Sequence, residues 1–355
     1  MARLIHVSRP SARPLIIPLF IPHMGCPHRC IFCNQHAITA AANQFPSADR
    51  IDRDIGQFLS YPKKERPTTQ VSFFGGNFLG LDQPVMLALL AAVTPFIARR
   101  LVDGIRFSTR PDTIDRQRLN LLAGFPVAAV ELGVQSMDDR VLALSGRGHR
   151  AADTESAVRR LKQRGYQVGL QMMVGLPGDD AHGAWLTARR IAALGPDFVR
   201  IYPTLVLPGS RLETHYRDGR YRPMSLASCV ALVKRLLLFF NARHIPVIRM
   251  GLQATDGLHS PDGVIAGPFH PAFGHLVRSE IVRDAISAAL VQMGHRPDPL
   301  TIVTHPATLA RVQGLNKNNL TALKASFGLA AIALIQEPRL AKNQLIVADR
   351  CLTLP

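Results

Sequence analysis

The stretch PHMGCPHRCIFCNQ, residues 22–35, holds three of the five cysteines in the chain. Their spacing is Cys26-x3-Cys30-x2-Cys33, so three thiols lie on one short segment. A disulfide framework does not explain them, because five is an odd number and cysteines this close in sequence cannot staple distant parts of a fold. The interpretations that remain are a zinc site, an iron–sulfur cluster or no ligand at all.

Zinc and an iron–sulfur cluster make different demands on these residues. Zinc needs four ligands, usually from two separated pairs; His23, His28 or His36 could supply the fourth, but the sequence contains no second pair. Three thiolates on one loop suit a 4Fe–4S cubane, because they bind three of its four irons. The fourth iron is then open to a small molecule. We therefore predict a 4Fe–4S cluster on Cys26, Cys30 and Cys33.

Composition describes a globular, strongly basic chain. The 355 residues are 47% hydrophobic and 19% charged, which is enough apolar material for a large core. The net charge is +17, from 42 basic and 25 acidic residues, and most of the basic residues are arginines. An arginine-rich surface suits phosphate backbones, so nucleic acid is a predicted partner.

The sequence shows neither a membrane span nor a signal peptide. No run reaches the roughly 18–20 apolar residues of a transmembrane helix. The N-terminal segment has arginines before an apolar run, but Pro14, Pro18 and Pro22 interrupt it and no small-x-small cleavage site follows. These features predict a cytoplasmic protein.

Apolar stretches alternate with helical patterns at a spacing of about 30 residues. Repeats of this kind predict a parallel sheet with flanking helices, and function in such folds lies at the carboxyl ends of the strands. A helix is predicted near 82–99. The six predicted strand regions are 14–22, 69–76, 104–112, 126–136, 166–178 and 196–209.

The last hundred residues form a separate part of the predicted organisation. We expect a core barrel over 1–255 and a small α/β extension over 256–355. Within that extension, residues 300–337 are predicted as strand, helix, turn, helix and strand. The turn GLNK at 314–317 is similar to the GxxG turn of KH RNA-binding domains but lacks the second glycine. The extension is therefore a candidate substrate- or RNA-contacting element.

The CxxxCxxC loop after a first strand resembles the signature of the radical S-adenosylmethionine (SAM) superfamily. This resemblance implies a partial (β/α)6 TIM-like barrel, a 4Fe–4S cluster and bound SAM, which is cleaved to a 5′-deoxyadenosyl radical. Phe32 matches the family position that contacts adenine. Gly75 and Gly76, in FFGGN, resemble the motif whose backbone binds the SAM amino group, with Asn77 where many members have Glu or Thr.

Two further positions carry the SAM site by resemblance, and a third is predicted from its place at the end of a strand. Gln135 in ELGVQS matches a ribose-binding residue of coproporphyrinogen-oxidase-like members, and Arg147 in GRGH matches the partner of the SAM carboxylate. Arg110 in STRPD is a third predicted cofactor-binding residue. Gln171 departs from the ribose-binding Asp of those relatives. His149 has two interpretations, a neighbour of Arg147 at the SAM site or a solvated loop histidine.

The segment RIYPTLVLPGSRLETHYRDGRY, residues 200–221, resembles the radical SAM half of the elongator catalytic subunit. The likeness extends over about residues 14–255 and includes STRPD and IPVIRMGLQ. That family modifies the wobble uridine of tRNA, which implies tRNA or another RNA as substrate and a flavodoxin- or ferredoxin-type electron donor. Two features differ: the gap between the first two cysteines is shorter, and no acetyl-CoA loop of an acetyltransferase is apparent.

Three functions remain open from the sequence. The first is a radical SAM enzyme that modifies tRNA. The second is a radical SAM enzyme of the coproporphyrinogen III oxidase type, acting on a small molecule. The third is a non-enzymatic iron–sulfur protein that binds RNA. The IYPTLV stretch favours the first, and the residues that resemble a SAM site disfavour the third.

Overall fold

The computed structural model describes residues 14–21, 25–34, 45–61, 68–252, 258, 260, 262–293 and 297–355. Contacts divide the described chain into two compact units. The first unit comprises residues up to 171 with 209–211 and 255–263, and the second comprises 172–208, 212–254 and 264–355. The predicted boundary at residue 255 stays a prediction.

Seven strands form the larger sheet, in the order in which they occur along the chain. Their pairings β1–β2, β2–β3, β3–β4 and β6–β7 are parallel, as the alternation of strands and helices predicts. The strands are β1 (Leu15–Phe20), β2 (Thr69–Phe74), β3 (Gly104–Thr109), β4 (Val127–Gln135), β5 (Gln167–Val174), β6 (Phe198–Pro203) and β7 (Val247–Met250).

The helices connect these strands and continue into the C-terminal part. The predicted helix near 82–99 is confirmed as the second of them. They are α1 (Ala48–Ser60), α2 (Gln83–Ala98), α3 (Arg116–Leu122), α4 (Asp139–Leu144), α5 (Ala151–Gln163), α6 (Ala181–Ala193), α7 (Arg211–Arg217), α8 (Leu226–Asn241), α9 (Phe273–Gln292), α10 (Pro306–Gln313) and α11 (Asn318–Phe327).

The fold class is confirmed as an α/β fold of the partial TIM-like barrel type. All six predicted strands are present, and β7 is a seventh strand that the six-unit prediction did not include. It has only four residues, too short for the period-2 pattern that identifies a strand in sequence. In the described residues, the sheet ends at β1 and β7 without further pairing.

Short polar side chains start several of the helices that follow the strands. Asp115, Asp138, Asp180 and Ser225 each accept a hydrogen bond from a backbone N–H in the first turn of α3, α4, α6 and α8, respectively. These N-caps satisfy donors that the helix itself leaves unpaired. They fix where each helix begins, and therefore the length of the loop that precedes it.

The two faces of strand β3 differ in chemistry. On one face, the Phe107 ring stacks on Phe78 with centroids 4.5 Å apart. On the opposite face, the Arg106 guanidinium lies 3.6 Å from the Glu131 carboxylate of β4, and both side chains are buried. Because successive side chains of a strand point to opposite faces, this sheet has an apolar face and a buried polar face.

A smaller sheet forms the C-terminal part of the second unit. Its order is β11-β10-β8-β9, with β8 (Leu300–Thr304), β9 (Ile332–Gln336), β10 (Gln344–Val347) and β11 (Arg350–Thr353). The predicted order of strand, helix, turn, helix and strand is confirmed by β8, α10, α11 and β9. Strands β8 and β9 are parallel, whereas β10 is antiparallel to β8 and β11.

Candidate active site

The cysteine loop lies against the segment that follows β2. Gly25 has a φ of +78°, and a Cβ atom at this position would lie 2.7 Å from the Asn77 carbonyl oxygen. Only glycine tolerates both the conformation and the approach. At its other end, the loop is anchored by a hydrogen bond from the Ile31 N–H to the Ser145 carbonyl, 3.1 Å long. The loop therefore has a defined path between two parts of the first unit.

The three cysteines of the loop are free thiols in a partly buried setting. Burial raises the pKa of Cys33 to about 12, and the neighbouring Cys30 and Cys26 add to this effect while Arg147 opposes it. Burial likewise raises the pKa of Cys26, against the influence of Arg110 and Arg147. Thiolates at these positions need compensating positive charge, which bound iron would provide.

The described residues contain no group of three or more His, Cys, Asp or Glu side chains that could together hold one metal ion. A single ion requires donors that converge on one point. In a cubane, each thiolate binds a different iron, so its three ligands do not converge in this way. His28 is described, whereas His23 and His36 lie outside the described residues.

Arg147 reaches the cysteine loop with its guanidinium group. Its Nη1 donates a hydrogen bond to Cys30 Sγ, 3.2 Å away, and its Nη2 donates to the Gly133 carbonyl. The side chain is buried, and its Nε has no partner. The arginine is thus held in place by the protein and keeps one donor for another ligand.

Arg110 lies beside the same loop and is equally buried. Its Nε and Nη2 bind the Asp112 carboxylate at 2.9 and 2.8 Å, and Nη2 also donates to the Arg147 carbonyl. The arginine of this pair is buried, whereas 22% of the Asp112 side chain is exposed. Its Nη1 has no partner. Two guanidinium groups therefore face the cysteines, each with a buried and unused nitrogen.

Asn77 connects the loop to the end of β3, a role that the motif comparison left undefined. Its Nδ2 donates to the Gly25 carbonyl at 2.7 Å, while its Oδ1 accepts from Thr109 Oγ1 at 2.7 Å and from the Arg110 N–H at 3.0 Å. Its backbone N–H also donates toward the Cys26 thiol. This buried residue bonds these four groups, three through its side chain and one through its backbone, and would have been visible in sequence only as a departure from the family motif.

Gly75 and Gly76 directly follow β2, and Phe32 lies within the cysteine loop; their contacts with SAM stay a prediction. Gly75 follows β2 with a φ of +115°, and a Cβ there would lie 2.3 Å from the Phe20 ring, so the position excludes other residues. Gly76 lies between Gly75 and Asn77. Phe32 is half-buried beside Cys33.

Gln135 ends β4 in an unusual conformation. Its φ is +67°, which is uncommon for a residue other than glycine and is concentrated at functional sites. The side chain is buried, and its Oε1 has no hydrogen-bond partner. An unpaired buried acceptor suits a ligand hydroxyl group.

His149 is buried, not solvated as one of its two interpretations assumed. The ring interacts weakly with the Val134 backbone, and neither ring nitrogen makes a hydrogen bond of good geometry. Burial lowers the pKa of His149 to about 3, and Arg147 and Arg110 add to the shift while Asp112 opposes it. The ring is therefore neutral near pH 7, with an unused hydrogen-bonding edge close to two arginines.

Gln171 serves a different purpose from the ribose-binding Asp at the matching position. Its Nε2 donates to Glu131 Oε2 at 3.0 Å and to Ser108 Oγ at 3.3 Å. The amide thus extends the polar cluster around Arg106 and Glu131.

In the second unit, Val174–Gly178 forms the turn between β5 and α6, and its Gly175 carbonyl accepts a hydrogen bond from Tyr221.

The chain matches the models of two protein domains. Residues 20–191 match the radical SAM superfamily, and residues 196–283 match the radical SAM C-terminal domain. The chain therefore belongs to the radical SAM superfamily, whose members are enzymes that use a 4Fe–4S cluster and SAM. This confirms the predicted class of enzyme and its cofactors.

Several relatives of this chain are named tRNA uridine(34) acetyltransferase. The tRNA uridine(34) acetyltransferase of Dehalococcoides mccartyi is 26% identical over 68% of this chain and 61% of its own length. The protein of the same name from Methanocaldococcus jannaschii is 32% identical, over 35% of this chain and 24% of its own length. The chain thus spans less than two thirds of these relatives.

A solved structure supports the same likeness at the level of the fold. The archaeal Elp3 of Methanocaldococcus infernus, with an N-terminal deletion, superposes with a TM-score of 0.59 over 82% of this chain and 70% of that one, at 19% identity. The predicted resemblance to the elongator catalytic subunit is confirmed.

Within the described residues, no helix is both long and apolar enough to cross a membrane.

Proposed function

We propose that this protein is a cytoplasmic radical SAM enzyme that modifies RNA, with a uridine of tRNA as its target. The observation that carries the SAM site is the set of buried, unused nitrogens and oxygens around the cysteine loop, on Arg110, Gln135, Arg147 and His149. Unpaired buried polar atoms are costly, so a group of them beside one loop indicates a polar ligand.

Residues of the cysteine loop and of the segments around it would hold the cluster and SAM. Cys26, Cys30 and Cys33 would bind three irons of the cluster, which leaves the fourth for SAM. Arg147 through Nε and Arg110 through Nη1 would each donate to the SAM carboxylate, because both guanidinium groups are fixed by the protein and keep one unused nitrogen. Gln135 would accept a ribose hydroxyl, Phe32 would contact adenine, and the backbone at Gly75 and Gly76 would bind the amino group.

The cluster held by Cys26, Cys30 and Cys33, with SAM bound beside it, would supply one-electron radical chemistry, and a flavodoxin- or ferredoxin-type donor would supply the electron. The protein contributes position and exclusion of water. Gly133 of β4 leaves room for the Arg147 guanidinium, because a Cβ there would lie only 3.3 Å from it. Uridine as the target is supported by the names of the relatives and by the net charge of +17.

The test is anaerobic. The reconstituted protein is mixed with SAM and dithionite, and 5′-deoxyadenosine is quantified with and without unfractionated tRNA. We expect cleavage that tRNA stimulates. Cleavage without an effect of tRNA would favour a small-molecule substrate, as in coproporphyrinogen-oxidase-type enzymes. An intact cluster with no cleavage and with tRNA bound would favour a non-enzymatic RNA-binding protein.

A further inference from the structure

A cleft on the outer surface of the first unit lies between α3 and α5, and the predicted SAM site does not use it. It has a volume of about 500 Å³, within the range of ligand pockets. Three of its six lining residues are arginines: Arg116, Arg160 and Arg164. Asp115, Leu119 and Gln163 complete the lining.

Two of the three arginines of the cleft, Arg160 and Arg164, are oriented by neutral groups. Arg160 Nη1 donates to the Ile114 carbonyl at 2.7 Å. Arg164 Nη2 donates to the Asn120 side-chain oxygen at 2.7 Å. These bonds hold the guanidinium groups in place without neutralising their charge. A preorganised cation loses less entropy when it binds an anion than a freely moving one.

The one carboxylate of the cleft is already engaged. Asp115 accepts hydrogen bonds from the Arg118 N–H at 2.7 Å and from the Arg118 guanidinium. Burial acts to raise the pKa of Asp115, but these bonds to Arg118 outweigh it and hold the pKa below its usual value. Its negative charge is therefore compensated by a cation outside the lining, and the cleft itself keeps an excess of positive charge.

The lining also indicates which part of an anionic ligand is recognised. None of the six residues is aromatic, so the cleft offers no platform on which a base could stack. Leu119 provides an apolar floor, against which the methylene stems of long side chains can lie. Charge without base contacts is typical of sites that position a nucleic-acid backbone without reading its sequence.

We infer that the cleft between α3 and α5 binds the phosphodiester backbone of the RNA substrate through Arg116, Arg160 and Arg164. This inference rests on the RNA substrate of the proposed function. A concave site of this size admits one ribose–phosphate, whereas docked protein surfaces are broad, so the geometry favours RNA over an acidic protein partner.

Salt dependence of tRNA binding tests the inference. For single strands and duplexes, each phosphate contact contributes about 0.7–0.9 to the slope of log K against log salt concentration. The double variant R160Q/R164Q should lower that slope by about 1.4–1.8. At about 0.1 M salt, each lost contact should weaken binding about five- to eightfold. The variant R160K keeps the charge and should retain most of the slope.

The matched control is R99Q. Arg99 is also exposed and donates to a backbone carbonyl, that of Pro95 at 3.3 Å, but it does not line the cleft. R99Q should leave unchanged both the affinity for tRNA and the slope of log K against log salt concentration. Iron content and tRNA-independent SAM cleavage should be the same in all variants, which shows that they are folded.

Three results would overturn the inference. Equal slopes and affinities for wild type and R160Q/R164Q would exclude the cleft as an RNA site. Unchanged RNA binding with slower reduction by a flavodoxin-type donor would make it a protein-docking site instead. Wild type with a normal cluster but no affinity for tRNA would refute the RNA substrate itself, so this failure is distinguishable from the first.

Discussion

Around the cysteine loop, the buried side chains include arginines, a glutamine and a histidine, whereas the interior of the C-terminal sheet is made of aliphatic side chains. In that part of the chain, Ile302 of β8, Leu323 of α11 and Leu345 of β10 are almost fully buried in one apolar cluster. Its buried amide, Asn319, donates to two carbonyls, those of Ser279 and Arg311, at 2.8 and 3.0 Å. The loop region instead keeps unpaired polar atoms.

The difference shows how the two regions use burial. In the C-terminal sheet, burial of apolar area stabilises the fold, and every change that leaves a cavity should cost stability. Around the loop, unpaired buried groups reduce stability in the free protein and become satisfied only when a ligand binds. Substitutions in the C-terminal sheet should therefore lower the stability of the fold, whereas substitutions around the cysteine loop should weaken cofactor binding.

The largest expected effect is on cluster assembly. We expect C30A to abolish it, because the protein would then offer only two of the three thiolates that hold the cluster. Iron content and the visible absorbance of a 4Fe–4S cluster after anaerobic reconstitution are the measurements. C351A, which removes an exposed cysteine of β11, is the control and should bind normal iron. Normal iron in C30A would show that the ligand assignment is wrong.

In the C-terminal sheet, L345A should lower the free energy of unfolding by about 2–5 kcal/mol, because it leaves a cavity where a fully buried leucine packed. Urea denaturation measures this change, and the iron content of the folded protein should stay normal. I335A is the control, since Ile335 of β9 is 50% exposed and should change stability much less. Equal effects of the two substitutions would contradict the apolar core described for this sheet.

R147A should spare the cluster but weaken SAM binding by about 10–150-fold, which corresponds to the loss of about 1.5–3 kcal/mol from a charged hydrogen bond. Equilibrium binding of SAM to the reconstituted protein is the measurement. R150A removes an exposed arginine three residues later and should bind SAM normally. If R147A lost iron in proportion to SAM affinity, its contact with Cys30 would be a support for the cluster loop instead.

The last prediction concerns the dependence of stability on pH. Folded His149 takes up a proton only near pH 3, whereas the unfolded imidazole does so near 6.5. Between these values, unfolding binds a proton, so stability falls as the pH is lowered. H149L should flatten this part of the profile, as measured by urea denaturation from pH 7 to 4. A profile identical to that of wild type would show that His149 does not titrate as its burial implies.

Local sequence patterns predicted much of the fold. The six predicted strands and the helix near 82–99 are present because each is long enough to show its period and is bounded by Gly, Pro or polar residues. The short strand β7 and the hairpin of β10 and β11 were not predicted. Strands of four residues carry too little pattern, and their pairing depends on partners distant in sequence.

Sequence alone determined the class of this protein, because cluster chemistry requires a particular spacing of thiols within one loop, and that spacing is local. Only the tertiary structure decided the environment of the loop. It showed that Asn77 joins the loop to β3, that Arg110 and Arg147 are both buried beside the cysteines, and that His149 is shielded from solvent. The physical reason is that burial and charge pairing arise from segments far apart in the chain, which meet only after folding.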